Sequence, residues 1–106
     1  MFKTVRVISD KGRRWDHAMN VCKQLDLDCS HAPAVIFSDE DAKACTKRGY
    51  HNRFTRGAVG CYQAHVDVWE EISQMEDGWH LIFEDDIALP NAPITTITDK
   101  IAAHME

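Results

Sequence analysis

Short β-prone runs alternate along this chain with longer segments whose apolar residues recur at helical spacing. The pattern predicts three strands, at Phe2–Ser9, Ala34–Phe37 and Trp79–Phe83. It predicts helices at Arg13–Leu25, Gly57–Met75 and Asn91–His104, with a short helix or turn at Asp39–Lys47. This order is typical of a three-layer α/β domain with a mainly parallel sheet. With 106 residues, the chain is expected to form one domain, residues 1–106.

Charge and hydropathy exclude some classes of function. The formal net charge of −5 argues against nucleic-acid binding through a basic surface. No apolar run approaches the length of a transmembrane helix, and the N-terminus lacks the apolar core of a signal peptide. The four cysteines, which form no CxxC pair, are Cys22, Cys29, Cys45 and Cys61. We expect reduced thiols and a cytoplasmic location.

All three predicted strands end in polar or acidic residues. These residues are Ser9–Asp10, Ser38–Asp39 and Glu84–Asp85–Asp86. If the strands are parallel, their carboxyl ends share one edge of the sheet, which is where ligands bind in open α/β folds.

The triplet Glu84–Asp85–Asp86 follows the apolar run "LIF" directly and is itself followed by the apolar "IALP". Adjacent carboxylates repel each other, and partial burial makes their ionisation more costly. A divalent cation removes that conflict, since Mg²⁺ and Mn²⁺ prefer oxygen ligands and are commonly completed by substrate phosphates. The triplet is therefore either a metal site or a solvated acidic turn.

The segment Lys47–Gly57, "KRGYHNRFTRG", carries four basic residues and no acid. Its Arg53 and Arg56 can meet an anion such as a diphosphate, with an interleaved aromatic residue available to stack on a base. The alternative is an ordinary solvated loop. His65 lies mid-helix beside apolar neighbours, where a core histidine bonded to the backbone is the alternative to a catalytic role.

The stretch "FTRGAVGCYQAHVDVWEEI", followed by "GWHLIFEDDI", resembles glycosyltransferase family 25, the lipooligosaccharide and collagen galactosyltransferase type. The residues that match the family pattern in register are Thr55, Gly57, Gly60, Cys61, His65, Trp69 and Glu84–Asp85–Asp86. The opening "VISDKGRRW" is similar to the family's opening, with Arg14 and Trp15 matching. Ala58, Ala64 and Ser9 depart from the family's Glu, Ser and Asp.

The resemblance implies a Rossmann-like GT-A-type fold with a DxD-like metal motif at Glu84–Asp85–Asp86. Asp86, with Glu84, would hold Mn²⁺ or Mg²⁺, and Glu84 or Asp85 would contact the ribose or a metal-bound water. Asp85, Asp86 and His65 are the candidate catalytic residues. The candidate donor-binding residues are Ser9, Asp10, Arg14, Arg53, Arg56 and Glu84.

The function implied is a metal-dependent glycosyltransferase, or its donor-binding half, that moves a sugar from a nucleotide-diphosphate sugar such as a UDP-hexose to a glycan or sugar acceptor. The alternatives are a non-catalytic nucleotide-sugar binding module that needs a partner chain, and a sugar-nucleotide hydrolase. The resemblance covers about the first half of a family domain. We therefore expect slow turnover, with donor hydrolysis comparable to transfer, unless a homodimer or partner chain rebuilds the acceptor side.

Overall fold

A computed structural model describes residues 2–41, 44 and 56–105 of the chain, and of Arg56 only the backbone. The strands are β1 (Thr4–Ser9), β2 (Ser30–Pro33) and β3 (His80–Glu84). The helices are α1 (Trp15–Gln24), α2 (Arg56–Ser73) and α3 (Ile94–His104). The three strands form one sheet in the order β2-β1-β3, and β1 pairs with β3 in parallel.

The observed element order confirms the predicted α/β class. Four elements begin and end within three residues of their predicted bounds: β1, α1, β3 and α3. Helix α2 ends at Ser73 rather than near Met75. Residues 39–41 are helical, as part of the predicted helix or turn at Asp39–Lys47. The predicted Thr55 cap of α2 lies outside the described residues. The GT-A type and the single-domain organisation stay predictions.

The predicted position of the second strand is wrong. The apolar run Ala34–Phe37 is not a strand, and Ile36 within it is 83% exposed. The strand comprises Ser30–Pro33 instead, where polar side chains fasten it to β1. Ser30 Oγ donates to the Val5 carbonyl at 3.4 Å, and Arg6 Nη2 donates to the His31 carbonyl at 2.8 Å. Hydrophobic periodicity carries no information about such bonds.

The chain divides into two compact units. The first comprises Met1–His31 with Glu76–Glu106. In its core Val7, Ala18 and Cys22 form a cluster, against which Trp15, Met19, Cys29 and Phe83 pack. The apolar face of α1 therefore covers the centre of the sheet. Asp16 in the first turn of α1 and Lys23 in its last turn complement the helix dipole.

The second unit comprises Ala32–Met75 and contains α2. Ser38 begins the helical residues 39–41 as an N-terminal cap, because its Oγ accepts the Asp41 N–H at 3.1 Å. Ser38–Asp39 therefore begins a helical turn and does not end a strand, so the second of the three predicted strand ends is wrong. In α2, Ala64 and Val68 are buried, while Tyr62 and Trp69 are exposed.

Candidate functional site

The carboxyl ends of β1 and β3 lie side by side in the first unit. The parallel register pairs Thr4 with His80 and continues to Ile8 with Glu84. The residues that follow, Ser9 on one strand and Asp85 on the other, therefore meet at the same edge of the sheet. The structure confirms this sequence prediction for two of the three strand ends.

Ser9 binds Asp85 directly. Its hydroxyl is buried, at 2% exposure, and donates to Asp85 Oδ2 at 2.6 Å. Ser9 Oγ also accepts the backbone N–H of Lys11 at 3.0 Å. One hydroxyl thus joins the start of the β1–α1 loop to the acidic turn after β3, and both of its hydrogen-bonding functions are used.

The β1–α1 loop brings a cation to the same carboxylate. Arg14, the residue at the N-terminal cap of α1, places Nη1 3.9 Å from Asp85 Oδ1, with its side chain 56% exposed. Asp10 folds the loop locally, since its Oδ1 accepts the Gly12 N–H at 2.8 Å. Ser9 and Arg14 therefore contact Asp85, whereas the contact of Asp10 is within its own turn.

The three carboxylates of the triplet are not equivalent. The Asp85 side chain is 15% exposed and points toward Ser9 and Arg14, while Glu84 and Asp86 are exposed. Exposed carboxylates are hard oxygen ligands of the kind that Mg²⁺ or Mn²⁺ takes. The donor set thus fits a divalent cation at Glu84 and Asp86, with Asp85 facing inward.

Two histidines at this edge were not among the sequence-predicted site residues. His31 on β2 places Nε2 2.6 Å from the Ser9 carbonyl oxygen, and His17 on α1 places Nε2 2.7 Å from the carbonyl oxygen of Ile87. In each pair the imidazole N–H donates and the carbonyl accepts. No motif or spacing in the sequence signals either bond, because each joins residues that are distant along the chain.

Ring contacts connect His31 on β2 to Trp15 at the start of α1 and to Lys11 in the β1–α1 loop. Trp15 meets the His31 ring edge-on, with ring centroids 5.2 Å apart, and Lys11 Nζ lies 5.2 Å from the centroid of the Trp15 ring system. This geometry gives the Lys11 side chain a cation–π contact. Trp15 therefore packs against the Val7–Ala18–Cys22 cluster and also contacts Lys11 and His31.

The remaining predicted site residues belong to the second unit or lie outside the described residues. His65 Nδ1 donates to the Cys61 carbonyl, one turn earlier in α2, at 2.9 Å, and its ring meets Trp69 edge-on with centroids 6.0 Å apart. That bond is the one expected of a structural histidine, and a catalytic role for His65 stays a prediction. Arg53 and the side chain of Arg56 lie outside the described residues.

One thiol in the first unit has a shifted pKa. Burial, the side-chain hydrogen bond and charge of Cys22, and the charge of Asp28 raise the pKa of Cys29 from 9.0 to about 12. Cys29 therefore stays protonated at neutral pH. Among the described cysteines, Cys22, Cys29 and Cys61 form no disulfide.

A family model described as glycosyltransferase family 25 (LPS biosynthesis protein) matches residues 6–105. The chain belongs to glycosyltransferase family 25. The match includes both sides of the site, Ser9 and Arg14 at one end and Glu84–Asp85–Asp86 at the other. Family 25 membership confirms the resemblance seen in the sequence.

Curated relatives agree with family 25 membership. The chain is 43% identical over 42 residues, 39% of its length, to procollagen galactosyltransferase 1-A of Xenopus laevis. It is 32% identical over 79 residues, 64% of its length, to a glycosyltransferase 25 family member of Drosophila pseudoobscura pseudoobscura. It is 29% identical over 89 residues, 71% of its length, to a glycosyltransferase 25 family member of Anopheles gambiae.

These alignments cover only small parts of the relatives. The chain spans 7% of the Xenopus protein, 13% of the Drosophila protein and 15% of the Anopheles protein. No solved structure gives a significant match. Within residues 2–41, 44 and 56–105, none of the helices has the length and hydropathy needed to cross a membrane.

Proposed function

We propose that this chain binds the donor of a metal-dependent glycosyl transfer, a nucleotide-diphosphate sugar of the UDP-hexose type. The observation that carries the proposal is the arrangement of the acidic triplet at the carboxyl edge of a parallel pair of strands. Asp85 points inward to Ser9 and Arg14, and Glu84 and Asp86 are exposed on either side of it. Family 25 membership supports the reaction class.

Each residue has a distinct task in this proposal. Asp86 and Glu84 hold Mn²⁺ or Mg²⁺, which when bound stabilises the departing nucleoside diphosphate as a Lewis acid. Asp85 orients the acidic turn through Ser9, and Arg14 contributes positive charge beside the diphosphate. Asp10 shapes the loop that leads to Arg14. Arg53 and Arg56 are proposed phosphate contacts, and His65 a candidate catalytic residue.

The acceptor in this proposal is a glycan or sugar hydroxyl. Orientation of two bound reactants can contribute roughly 7–11 kcal/mol to a barrier, and a positioned general base typically adds 10²- to 10⁴-fold. The described residues at the β1–β3 edge provide contacts for the donor. A homodimer or partner chain is proposed as the source of acceptor contacts.

Calorimetry of UDP and UDP-hexoses with Mn²⁺ or with EDTA tests donor binding. We expect tighter binding with Mn²⁺, and we expect Asp86→Ala to remove most of the difference. Asp77→Ala is the matched control, because Asp77 is an exposed acid of the same unit that precedes β3. Equal affinity of the unaltered chain in Mn²⁺ and in EDTA would show the metal-dependent proposal to be wrong.

A time course of UDP release from UDP-hexose, with and without sugar acceptors, tests the reaction. We expect slow release by the isolated chain, with free sugar among the products identified by mass spectrometry. Binding without release would favour the non-catalytic module. Release that is equally fast with and without acceptor, and that yields only free sugar, would favour the hydrolase.

A further inference from the structure

Cys22 lies in the last turn of α1, and Cys29 is the last residue of the connection between α1 and β2. The chain turns sharply there, because the Leu27 N–H donates to the Cys22 carbonyl at 2.9 Å and Asp26 takes a positive φ of 54°. This turn returns the chain to α1 just before β2 begins. Cys29, the residue before β2, consequently packs against the Val7–Ala18–Cys22 cluster.

The two thiols lie in the same part of the first unit. Cys29 packs against the cluster that contains Cys22, and the neighbouring Cys22 contributes to the raised pKa of Cys29. Cys22 is 2% exposed, whereas Cys29 is half-buried. Both line a cavity of about 430 Å³ with Met19, Lys23 and Leu27. A small reagent that enters this cavity can therefore reach the more exposed Cys29 before the buried Cys22.

We propose that Cys22 and Cys29 are a redox modification site that closes to an intramolecular disulfide by exchange with a small disulfide, such as oxidised glutathione. The site is separate from the carboxylate edge of the sheet and does not depend on the proposed donor binding. Nothing in the family assignment requires a thiol pair at these positions.

The exchange has two steps that balance atoms and electrons. The Cys29 thiolate attacks one sulfur of oxidised glutathione, which forms a Cys29–glutathione mixed disulfide and releases one glutathione thiolate. The Cys22 sulfur, after losing its proton, then attacks the Cys29 sulfur, forms the Cys22–Cys29 bond and releases the second glutathione. The two protein thiols lose two electrons and two protons, and the two glutathione thiols receive them.

The environment of Cys29 sets the pH dependence of the first step. The charged groups that line the cavity are Lys23, Asp26 and Asp28, and burial raises the pKa of Cys29 more than the neighbouring charges do. Since the thiolate is the attacking species, the rate at neutral pH should be slow and should rise about tenfold per pH unit from pH 7 to pH 9. The exchange rate of an ordinary exposed thiol would begin to level off in the same pH range.

Peptide mapping gives a direct test, because Lys23 lies between the two cysteines. Trypsin separates Cys22, in the peptide of residues 15–23, from Cys29, in the peptide of residues 24–43, unless a disulfide joins them. The full chain and a Cys45→Ser/Cys61→Ser variant are incubated with oxidised glutathione, alkylated and digested. We expect the two peptides to be linked in both proteins. Two separate alkylated or glutathione-modified peptides would overturn the proposal.

Cys22→Ser provides the control for the second step. Without the Cys22 sulfur, the mixed disulfide on Cys29 should persist, whereas in the Cys45→Ser/Cys61→Ser variant it should be short-lived. Cys22→Ala repeats the comparison if the serine variant does not fold. In addition, the oxidised double variant should melt at a higher temperature than its reduced form, since the bond restricts the unfolded chain. Equal persistence of the Cys29 adduct with and without Cys22 would contradict the exchange mechanism.

Discussion

Ser9 Oγ lies 2.6 Å from Asp85 Oδ2, although 76 positions separate the two residues along the chain. The buried hydroxyl satisfies an ionisable side chain that the fold has placed at 15% exposure. This bond connects the two strand ends of the candidate site and determines which carboxylate of the triplet faces inward.

Ser9→Ala should lower the free energy of unfolding by about 1.5–3 kcal/mol, the range for a hydrogen bond to a charged group. The change leaves Asp85 without this donor and the Lys11 N–H without its acceptor. Urea denaturation measures the loss. Ser73→Ala is the control, since that exposed hydroxyl bonds to the nearby Glu70 carbonyl and its removal should cost about 0.5 kcal/mol or less. Equal losses in the two variants would contradict a special role for the Ser9–Asp85 bond.

His31 should act as a positioning residue through its bond to the Ser9 carbonyl, 2.6 Å from Nε2. His31→Leu leaves that partly buried carbonyl unsatisfied, at a cost of about 1–3 kcal/mol. His31→Gln places an amide N–H donor at similar reach and should retain more stability. Denaturant titration compares the two variants with the unaltered chain. If glutamine is no better than leucine, the hydrogen bond does not stabilise this edge of the sheet.

Arg14→Gln should weaken UDP binding much more than it lowers stability. The Arg14–Asp85 ion pair is long, at 3.9 Å, and its arginine is exposed, so it contributes about 0–1 kcal/mol to folding. A direct charge-assisted contact with a diphosphate would be worth about 1.5–3 kcal/mol, which is at least tenfold in affinity. Calorimetry with UDP and with uridine separates the phosphate contribution from that of the base and ribose.

The neighbouring exposed Arg13 provides the control for Arg14, because Arg13→Gln removes the same charge from the same loop. We expect Arg13→Gln to change the UDP-to-uridine preference less than Arg14→Gln does. A matching loss in both variants would indicate general electrostatic attraction by the loop and no specific contact by Arg14.

Gly60→Ala should destabilise the second unit even though alanine is the better helix former. In the interior of a helix, alanine is usually favoured over glycine by about 1 kcal/mol. Here a Cβ at position 60 would collide with the backbone carbonyl oxygen of Val35. Gly57→Ala, at an exposed position of the same helix, is the control and should not lower stability. Thermal unfolding compares both variants. A higher melting temperature for Gly60→Ala would show that the Val35 backbone can shift at little cost in free energy.

The alternating sequence pattern was sufficient for the α/β class, and the acidic strand ends were correctly placed for β1 and β3. Both depend on local properties, because apolar spacing and turn residues act over a few neighbouring positions. The residues of the family pattern, from Arg14 and Trp15 to Glu84–Asp85–Asp86, were likewise sufficient to identify family 25. The metal, the donor and the roles of the individual site residues stay predictions.

Tertiary structure alone decided the rest. The apolar Ala34–Phe37 had the stronger strand pattern, yet Ser30–Pro33 forms β2 because side-chain bonds to Val5 and from Arg6 hold it. No feature of the sequence indicated which of the three acids faces inward, whereas in the structure Ser9 and Arg14 contact Asp85, and Glu84 and Asp86 are exposed. The bond from His31 to Ser9 had no sequence signal. These features depend on contacts between residues at least 22 positions apart, which exist only after the strands have paired, so local pattern cannot specify them.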